Sequence, residues 1–309
     1  MITYYYKNAR SKQLSVVGEY QPGVWVCVEK PTHKEISQLV EQFSLDAGHM
    51  HDAFDADEMP RLEKEGSLSY VFVRYAYTSD DLELMTSPLL FVIGLDVLIT
   101  VALHDLPHLQ QFVTGKLDFS TAQRTALMLQ IMEQTVDQYG VFINTIARQT
   151  KVIRSRLRSH EVGNQDFIEF VLIEDSLNEF LSALLPMTAI LRRLLLGRHI
   201  VLSTEEKNVI EDLMLNTEQS IEGCRSSIKS IVNIRQAYAT IASNNLNRTM
   251  KILTGATVLI TLPNVFFSMF GMNIVIPFAH EWWLSYSVIT FTIIVTVFVL
   301  ILARAKRIL

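Results

Sequence analysis

At residues 252–279 the chain reads ILTGATVLITLPNVFFSMFGMNIVIPFA, and at 282–303 it reads WWLSYSVITFTIIVTVFVLILA; neither run holds a Lys, Arg, Asp, Glu or His. Each is long enough for an α-helix to cross a hydrocarbon core, which takes roughly 20 residues. Two uncharged runs back to back are hard to bury in a soluble protein, so they read as two transmembrane helices. Arg248 and Lys251 precede the first span, and Arg304, Lys306 and Arg307 follow the second. The loop between them, 271–283, carries only His280 and Glu281 as polar charges. Lys and Arg favour the inner side of a membrane, so both termini are expected in the cytoplasm of a cell-membrane protein and the loop outside. Trp282, Trp283 and Tyr286 suit the outer interface, where a ring can keep its polar tip in the headgroup layer.

The rest of the 309-residue chain is of another kind. Overall 49% of residues are apolar and 19% charged, too apolar for a typical soluble domain and too charged for a bundle lying wholly in lipid. Residues 248–309 hold five basic and one acidic side chain, whereas 1–247 hold 22 basic and 31 acidic ones. An acidic bulk with no basic, aromatic-rich stretch excludes nucleic acid as a partner and favours a cation. Cys27 and Cys224 stand alone, so neither a disulfide framework nor a cysteine zinc site is expected. The start MITYYYKNAR has no apolar run behind its charges, and no signal peptide is expected. No G-x-x-x-x-G-K-[ST], G-x-S-x-G or H-E-x-x-H pattern occurs, so neither ATP-driven work nor hydrolysis has a visible engine and an enzyme is not expected.

Before the spans, residues 1–119 read as an α/β domain. Strand-like runs rich in β-branched and aromatic residues occupy 2–6, 14–20, 24–29, 69–78, 88–94 and 97–103, with a helical run at 32–43 and a hairpin at Gly94-Leu95-Asp96. Residues 120–251 read as long helices, at 120–160, at 165–197 and from Ser203 onward. Gly163-Asn164 breaks the first pair and Gly197 ends the second helix. Ser203 and Glu206 form a capping box. Ile210, Leu213, Thr217, Ile221, Cys224, Ile228 and Ile231, then Ala237, Ile241 and Leu246, recur at close to 3.5 residues. That spacing predicts a coiled-coil-like stalk running unbroken into the first span, a rod on the order of 100 Å. The chain thus divides into an α/β domain (1–119), a long-helix region (120–251), a first span (252–270), an outer loop (271–283), a second span (284–303) and a basic tail (304–309).

Two spans enclose no channel, so conduction requires several copies around one of them. Asn247, Thr254, Thr257, Thr261, Asn264 and Ser268 place a polar stripe on the first span, while the second is almost wholly aliphatic and aromatic. Threonines in a membrane helix often bond back to their own carbonyls. Asn264 is different, because an amide at membrane depth is costly without a partner or water.

Phe270-Gly271-Met272-Asn273 closes the first span, and Asn247-Arg248-Thr249-Met250-Lys251-Ile252-Leu253-Thr254 opens it. In these places the two segments resemble the G-M-N signature and the upstream N-x-x-M-K-x-L-T of the CorA family of magnesium channels. The resemblance implies a homopentamer in the lipid bilayer that carries Mg²⁺, with Co²⁺ or Ni²⁺ as further cargo, through a pore lined by the first span. It places Asn273 in an outer ring on the loop fixed by Gly271 and Met272, puts Asn264, Thr261, Thr257, Leu253, Met250 and Asn247 along the path, and makes Leu253 and Met250 the gating constriction. It also implies that internal Mg²⁺ is sensed between protomers at Asp52 and Asp212. From the residues alone, Asp52, Asp55, Asp57 and Glu58 crowd four carboxylates into seven positions, and these repel one another unless a cation or basic group lies close.

Departures from the family pattern are Phe270 in place of the common Tyr, Asn264 where many members have Thr, and an outer loop whose only carboxylate is Glu281. A zinc transporter of the same architecture is the nearest alternative, from which Met272 points away, and a non-conducting membrane-anchored sensor is the other. His49 and His51 read as surface histidines rather than an imidazole zinc site, since H-x-H is not a closed ligand set. The sequon at Asn247 is discounted because the expected orientation puts it inside.

Overall fold

Alternation of apolar residues on both faces builds the central sheet. The computed structural model describes residues 1–7, 14–94, 96–106, 110–114, 117–159, 164–272 and 281–305. In chain order the elements are β1 (Ile2–Tyr6), β2 (Ser15–Val17), β3 (Trp25–Glu29), α1 (His33–Phe43), α2 (Ala47–Asp52), β4 (Arg61–Glu65), β5 (Leu68–Thr78), β6 (Leu84–Ile93), β7 (Leu98–Ala102), α3 (Gln110–Val113), α4 (Arg124–Ser159), α5 (Asn164–Leu195), α6 (Thr204–Phe270) and α7 (Trp282–Ala305). The strands form one sheet in the order β2-β1-β3-β7-β6-β5-β4. Every pairing is antiparallel except β3 with β7, where Trp25 lies beside Leu98 and Val28 beside Val101.

Period-two burial decides which helices each face meets. Trp25, Val71, Val73, Tyr75, Leu89 and Phe91 point to one side and pack with Leu127, Ile131 and Met132 of α4, Met187 and Leu191 of α5, and Ile210 and Leu213 of α6. Val26, Val28, Tyr70, Phe72, Leu90, Ile99 and Val101 point to the other and pack with Ile36 and Leu39 of α1 and Met50 of α2. The result is a three-layer α/β/α arrangement. The buried Trp25 is satisfied by donating from Nε1 to Thr100 Oγ1 at 3.0 Å.

The expected strands are present, with two differences. Residues 14–20 yield only the three-residue β2. A seventh strand, β4, escaped the reading because RLEKE is almost entirely charged; it is an edge strand, and charge on an edge discourages unwanted pairing. The 94–97 hairpin closes with Gly94 N–H donating to Val97 at 3.0 Å, although Leu95 and Gly163 lie outside the described residues. Thr32 caps α1 in a capping box. At α6, Ser203 and Glu206 do the same, at 2.7 and 3.2 Å. Gly197 adopts φ 67° just beyond α5, the left-handed position a helix stop favours.

By packing, residues group into two units, Met1–Asn233 and Ile234–Leu309, and α6 contributes to both. In the first unit Ile210, Leu213, Thr217, Ile221, Cys224 and Ile231 are buried. The later part of the expected seam differs: Ala237 and Leu246 are exposed and Ile241 half-buried. The cause is the reach of α4, which runs beside α6 with Arg154 on Ser230 and ends at Ser159. In the second unit, α6 and α7 are each long and apolar enough to cross a membrane, and only 6% of each apolar window is buried.

Candidate functional site

On α6, Asn247, Met250, Leu253, Thr257, Thr261 and Asn264 are all exposed. At about 100° per residue they fall within roughly 120° around the axis. The covered or half-buried positions of the same span, Gly255, Val258, Leu262, Pro263, Phe266 and Phe270, centre roughly 150° away around the axis. There Phe266 meets Phe291 of α7 edge-on, ring centroids 5.6 Å apart. Thr292 and Thr296 of α7 are buried, their hydroxyls donating to Val288 and Thr292 carbonyls at 2.8 and 2.7 Å. One chain therefore covers the back of its first span with its second and leaves the polar stripe bare.

The stripe's hydroxyls are used locally: Thr257 donates to the Leu253 carbonyl at 2.9 Å, and Thr261 donates to the Thr257 carbonyl. A hydroxyl oxygen carries two lone pairs, so each back-bonded threonine still offers acceptors outward. Gly271 ends the span, its N–H lying 3.0 and 3.2 Å from the carbonyls of Phe267 and Ser268. A Cβ there would sit 3.2 Å from the Phe267 oxygen, so glycine permits this close. Met272 is exposed. Asn273 and the rest of residues 273–280, with 306–309 of the tail, lie outside the described residues.

The acidic segment is organised by arginines, which the sequence reading did not single out. Asp52 ends α2, and its Oδ2 accepts from Arg61 Nη2 at 2.6 Å. Arg61 Nη1 donates to Glu58, and its Nε lies 2.7 Å from a Glu63 oxygen. Asp55 accepts from the Asp57 N–H at 2.9 Å. Of the four crowded carboxylates, Asp52 and Glu58 are thus offset by one guanidinium. His49 lies 3.3 Å from the other Glu63 oxygen and 4.6 Å from the Tyr70 ring centroid, and His51 packs edge-on to Phe54.

Asp212 is exposed on the first turns of α6 and belongs to a different environment. Glu133 of α4 has its pKa raised by burial and by the neighbouring charges of Asp137 and Asp212, and burial raises Asp137 as well. No ion pair reaches any of the three among the described residues. Nor, among those residues, do three or more His, Cys, Asp or Glu converge in a metal-holding group. Because the folded chain holds the Glu133 proton more tightly than the unfolded chain, its stability contribution is full below the ordinary value of 4.5 and is lost as pH rises through the raised one. Glu133→Gln is expected to raise the melting temperature at pH 7 in Mg²⁺-free buffer and leave it unchanged at pH 4, which thermal scans at both pH values check.

An α/β domain, a long helix whose apolar end bares a polar stripe, and a second apolar helix fit a two-span membrane protein. The chain belongs to the CorA-like Mg²⁺ transporter family, whose model matches residues 20–307. The cobalt/magnesium transport protein CorA of Methanocaldococcus jannaschii is 20% identical over 293 residues, covering 91% of this chain and 90% of that one. The complete structure of the CorA magnesium transporter from that organism matches with a TM-score of 0.86 at 16% identity, over 98% of this chain and 97% of that chain. The ZntB cytoplasmic domain from Vibrio parahaemolyticus matches with a TM-score of 0.61 at 10% identity, over 78% of this chain and 98% of that chain. By family, the protein is a membrane-embedded divalent-cation transporter.

Proposed function

We propose that the chain forms a homopentameric, passive Mg²⁺ channel with both termini cytoplasmic, its pore lined by α6 and closed by Leu253 and Met250. The observation that carries this is the polar stripe on the face of α6 opposite the Phe266–Phe291 contact. In a ring of copies that bare face turns inward, and the second span turns to lipid. Mg²⁺ dehydrates reluctantly and keeps several waters, whose hydrogens need acceptors. The amides of Asn273 and Asn264 and the back-bonded hydroxyls of Thr261 and Thr257 supply neutral acceptors without binding the ion so firmly that it cannot leave. Entry of a doubly charged ion is driven by about 4.6 kcal/mol per 100 mV of membrane potential.

Regulatory Mg²⁺ is placed between protomers, at Asp52 of one and Asp212 of the next. At Asp212 the support is a single carboxylate whose charge adds to burial in raising the pKa of Glu133, with no ion pair to either among the described residues, so a dication shared with Asp52 of the next copy would relieve local negative charge. At Asp52 one oxygen accepts from Arg61, while the side chain remains 43% exposed. Bound Mg²⁺ holds neighbouring acidic domains together and favours the closed state; its loss lets them separate and the constriction wet.

Metal flux into proteoliposomes tests both proposals. Mg²⁺ is expected to enter and Zn²⁺ to compete poorly. Asp52→Ala with Asp212→Ala is expected to remove inhibition by Mg²⁺ on the domain side. Preferential Zn²⁺ entry would favour the second reading, a zinc transporter, for which the fold likeness to ZntB speaks.

A further inference from the structure

Arg61 joins three carboxylates that come from three places in the fold. Asp52 closes α2, Glu58 lies in the connecting turn and Glu63 shares β4 with Arg61 itself. The guanidinium sits 4.2 Å above the centre of the Phe72 ring, and Phe72 is also the residue paired with Arg61 across β4 and β5. Sheet register therefore fixes where the charge stands. The Arg61 side chain is only 26% exposed and Glu58 only 14%, so the cluster is partly desolvated and its charge interactions exceed those of an open surface pair.

We propose that Arg61 is a resident counter-cation that competes with Mg²⁺ for Asp52, and so sets the internal Mg²⁺ concentration at which the transporter closes. This rests on the reading of Asp52 as a regulatory ligand. Arg61 holds the Oδ2 atom of Asp52, one of the oxygens that would face the ion or one of its waters. Full engagement of that carboxylate by Mg²⁺ requires the guanidinium to withdraw, and its withdrawal restores the repulsion among Asp52, Glu58 and Glu63 until the dication takes its place. On the Asp212 side, among the described residues, no ion pair reaches Asp212, Glu133 or Asp137, and burial together with the charges of Asp137 and Asp212 raises the pKa of Glu133. The two halves of the sensor are thus unlike: one is cation-satisfied at rest, the other cation-poor. Binding is an exchange at the first and a simple addition at the second, and exchange lowers the apparent affinity for Mg²⁺.

The test is the Mg²⁺ midpoint for protection of the full-length protein, in detergent, against limited chymotrypsin digestion, read beside the midpoint for flux inhibition. Arg61→Met keeps an apolar stem over Phe72 and removes the charge; both midpoints are expected to fall roughly tenfold, the weight of one charge-assisted contact. Arg61→Lys keeps a charge for folding but not the three-way fork, and is expected to lower them by about threefold. Unmoved midpoints in Arg61→Met, or in Arg61→Lys where only that variant folds, overturn the proposal. Asp52→Ala separates the two possible failures. If it leaves the midpoints in place, the assignment of Asp52 is wrong; if it moves them and the Arg61 variants do not, only the counter-cation role fails.

Discussion

Asn273→Ala is expected to reduce Mg²⁺ uptake into proteoliposomes to the level of empty vesicles while the protein still assembles as a ring. The argument begins with the ion. Mg²⁺ demands near-ideal octahedral coordination and gives up water slowly, so the outermost step must be recognition of a hydrated ion. A carbonyl oxygen on each Asn273, repeated around a fivefold axis, would accept hydrogen bonds from that shell; a methyl group cannot. The loop offers few other side-chain acceptors, Glu281 being its only carboxylate. Asn273→Asp separates recognition from charge. It keeps the oxygens but adds a negative charge per copy, and is expected to bind Mg²⁺ more tightly and conduct it more slowly, since an ion held too firmly leaves late. A fluorescent Mg²⁺ indicator inside the vesicles reads the flux, and crosslinking reads the assembly. Wild-type flux through assembled Asn273→Ala would remove this residue from the pathway.

The elements of this fold were readable where one physical pressure dominates a stretch of sequence. Two charge-free runs announce the spans because lipid tolerates no alternative, and runs such as SYVFVRYAYT announce strands because both sheet faces are covered. Reading failed at β4, where RLEKE answers to edge exposure and a charge cluster rather than to burial. It failed more instructively at Arg61 and Arg74. Arg61 was visible in the acidic segment, yet its role depends on the β4–β5 register that sets it over Phe72. Arg74 lies inside an apolar strand run, where nothing local distinguishes a buried, bonded arginine from one that reaches solvent. The stalk was legible as a 3.5-residue recurrence, but where its cover ends depends on the length of α4. The stripe on α6 could be written down from the sequence; that its opposite face is the one α7 covers could not.

Arg74→Met is expected to lower the stability of the first unit by about 3–5 kcal/mol, the cost of breaking a buried charge network from one side, and its melting temperature by on the order of 10 °C. Arg74 is 6% exposed in the middle of β5. Its Nε donates to Thr86 Oγ1 at 2.8 Å and its Nη2 to the Thr86 carbonyl at 3.0 Å, which ties β5 to β6. Its Nη1 donates to the carbonyls of Ala56 and Glu58, both at 2.8 Å, and these belong to the turn between α2 and β4. Four of its five donor hydrogens are thereby used. Glu179 of α5 lies 4.0 Å from Nη2 and accepts from the Thr86 N–H and hydroxyl at 2.6 and 2.9 Å. Methionine fills much of the same volume but supplies no donor, so the carbonyls of Ala56, Glu58 and Thr86 lose partners in a setting where water reaches them poorly, and the Glu179 carboxylate loses its nearest positive charge. Thr86→Val removes only the hydroxyl and is expected to cost about 1–2 kcal/mol. The same substitution bears on sensing. With Ala56 and Glu58 unmoored, the turn that carries Glu58 toward Arg61 is no longer held at a fixed height, and Asp52 loses part of the frame around its guanidinium partner. Arg74→Met is therefore expected to broaden the Mg²⁺ dependence of closure as well as to melt early, whereas Thr86→Val leaves the Ala56 and Glu58 bonds in place and should keep the wild-type Mg²⁺ response. A melting temperature for Arg74→Met within two degrees of wild type, measured at fixed Mg²⁺, would show that the network contributes little.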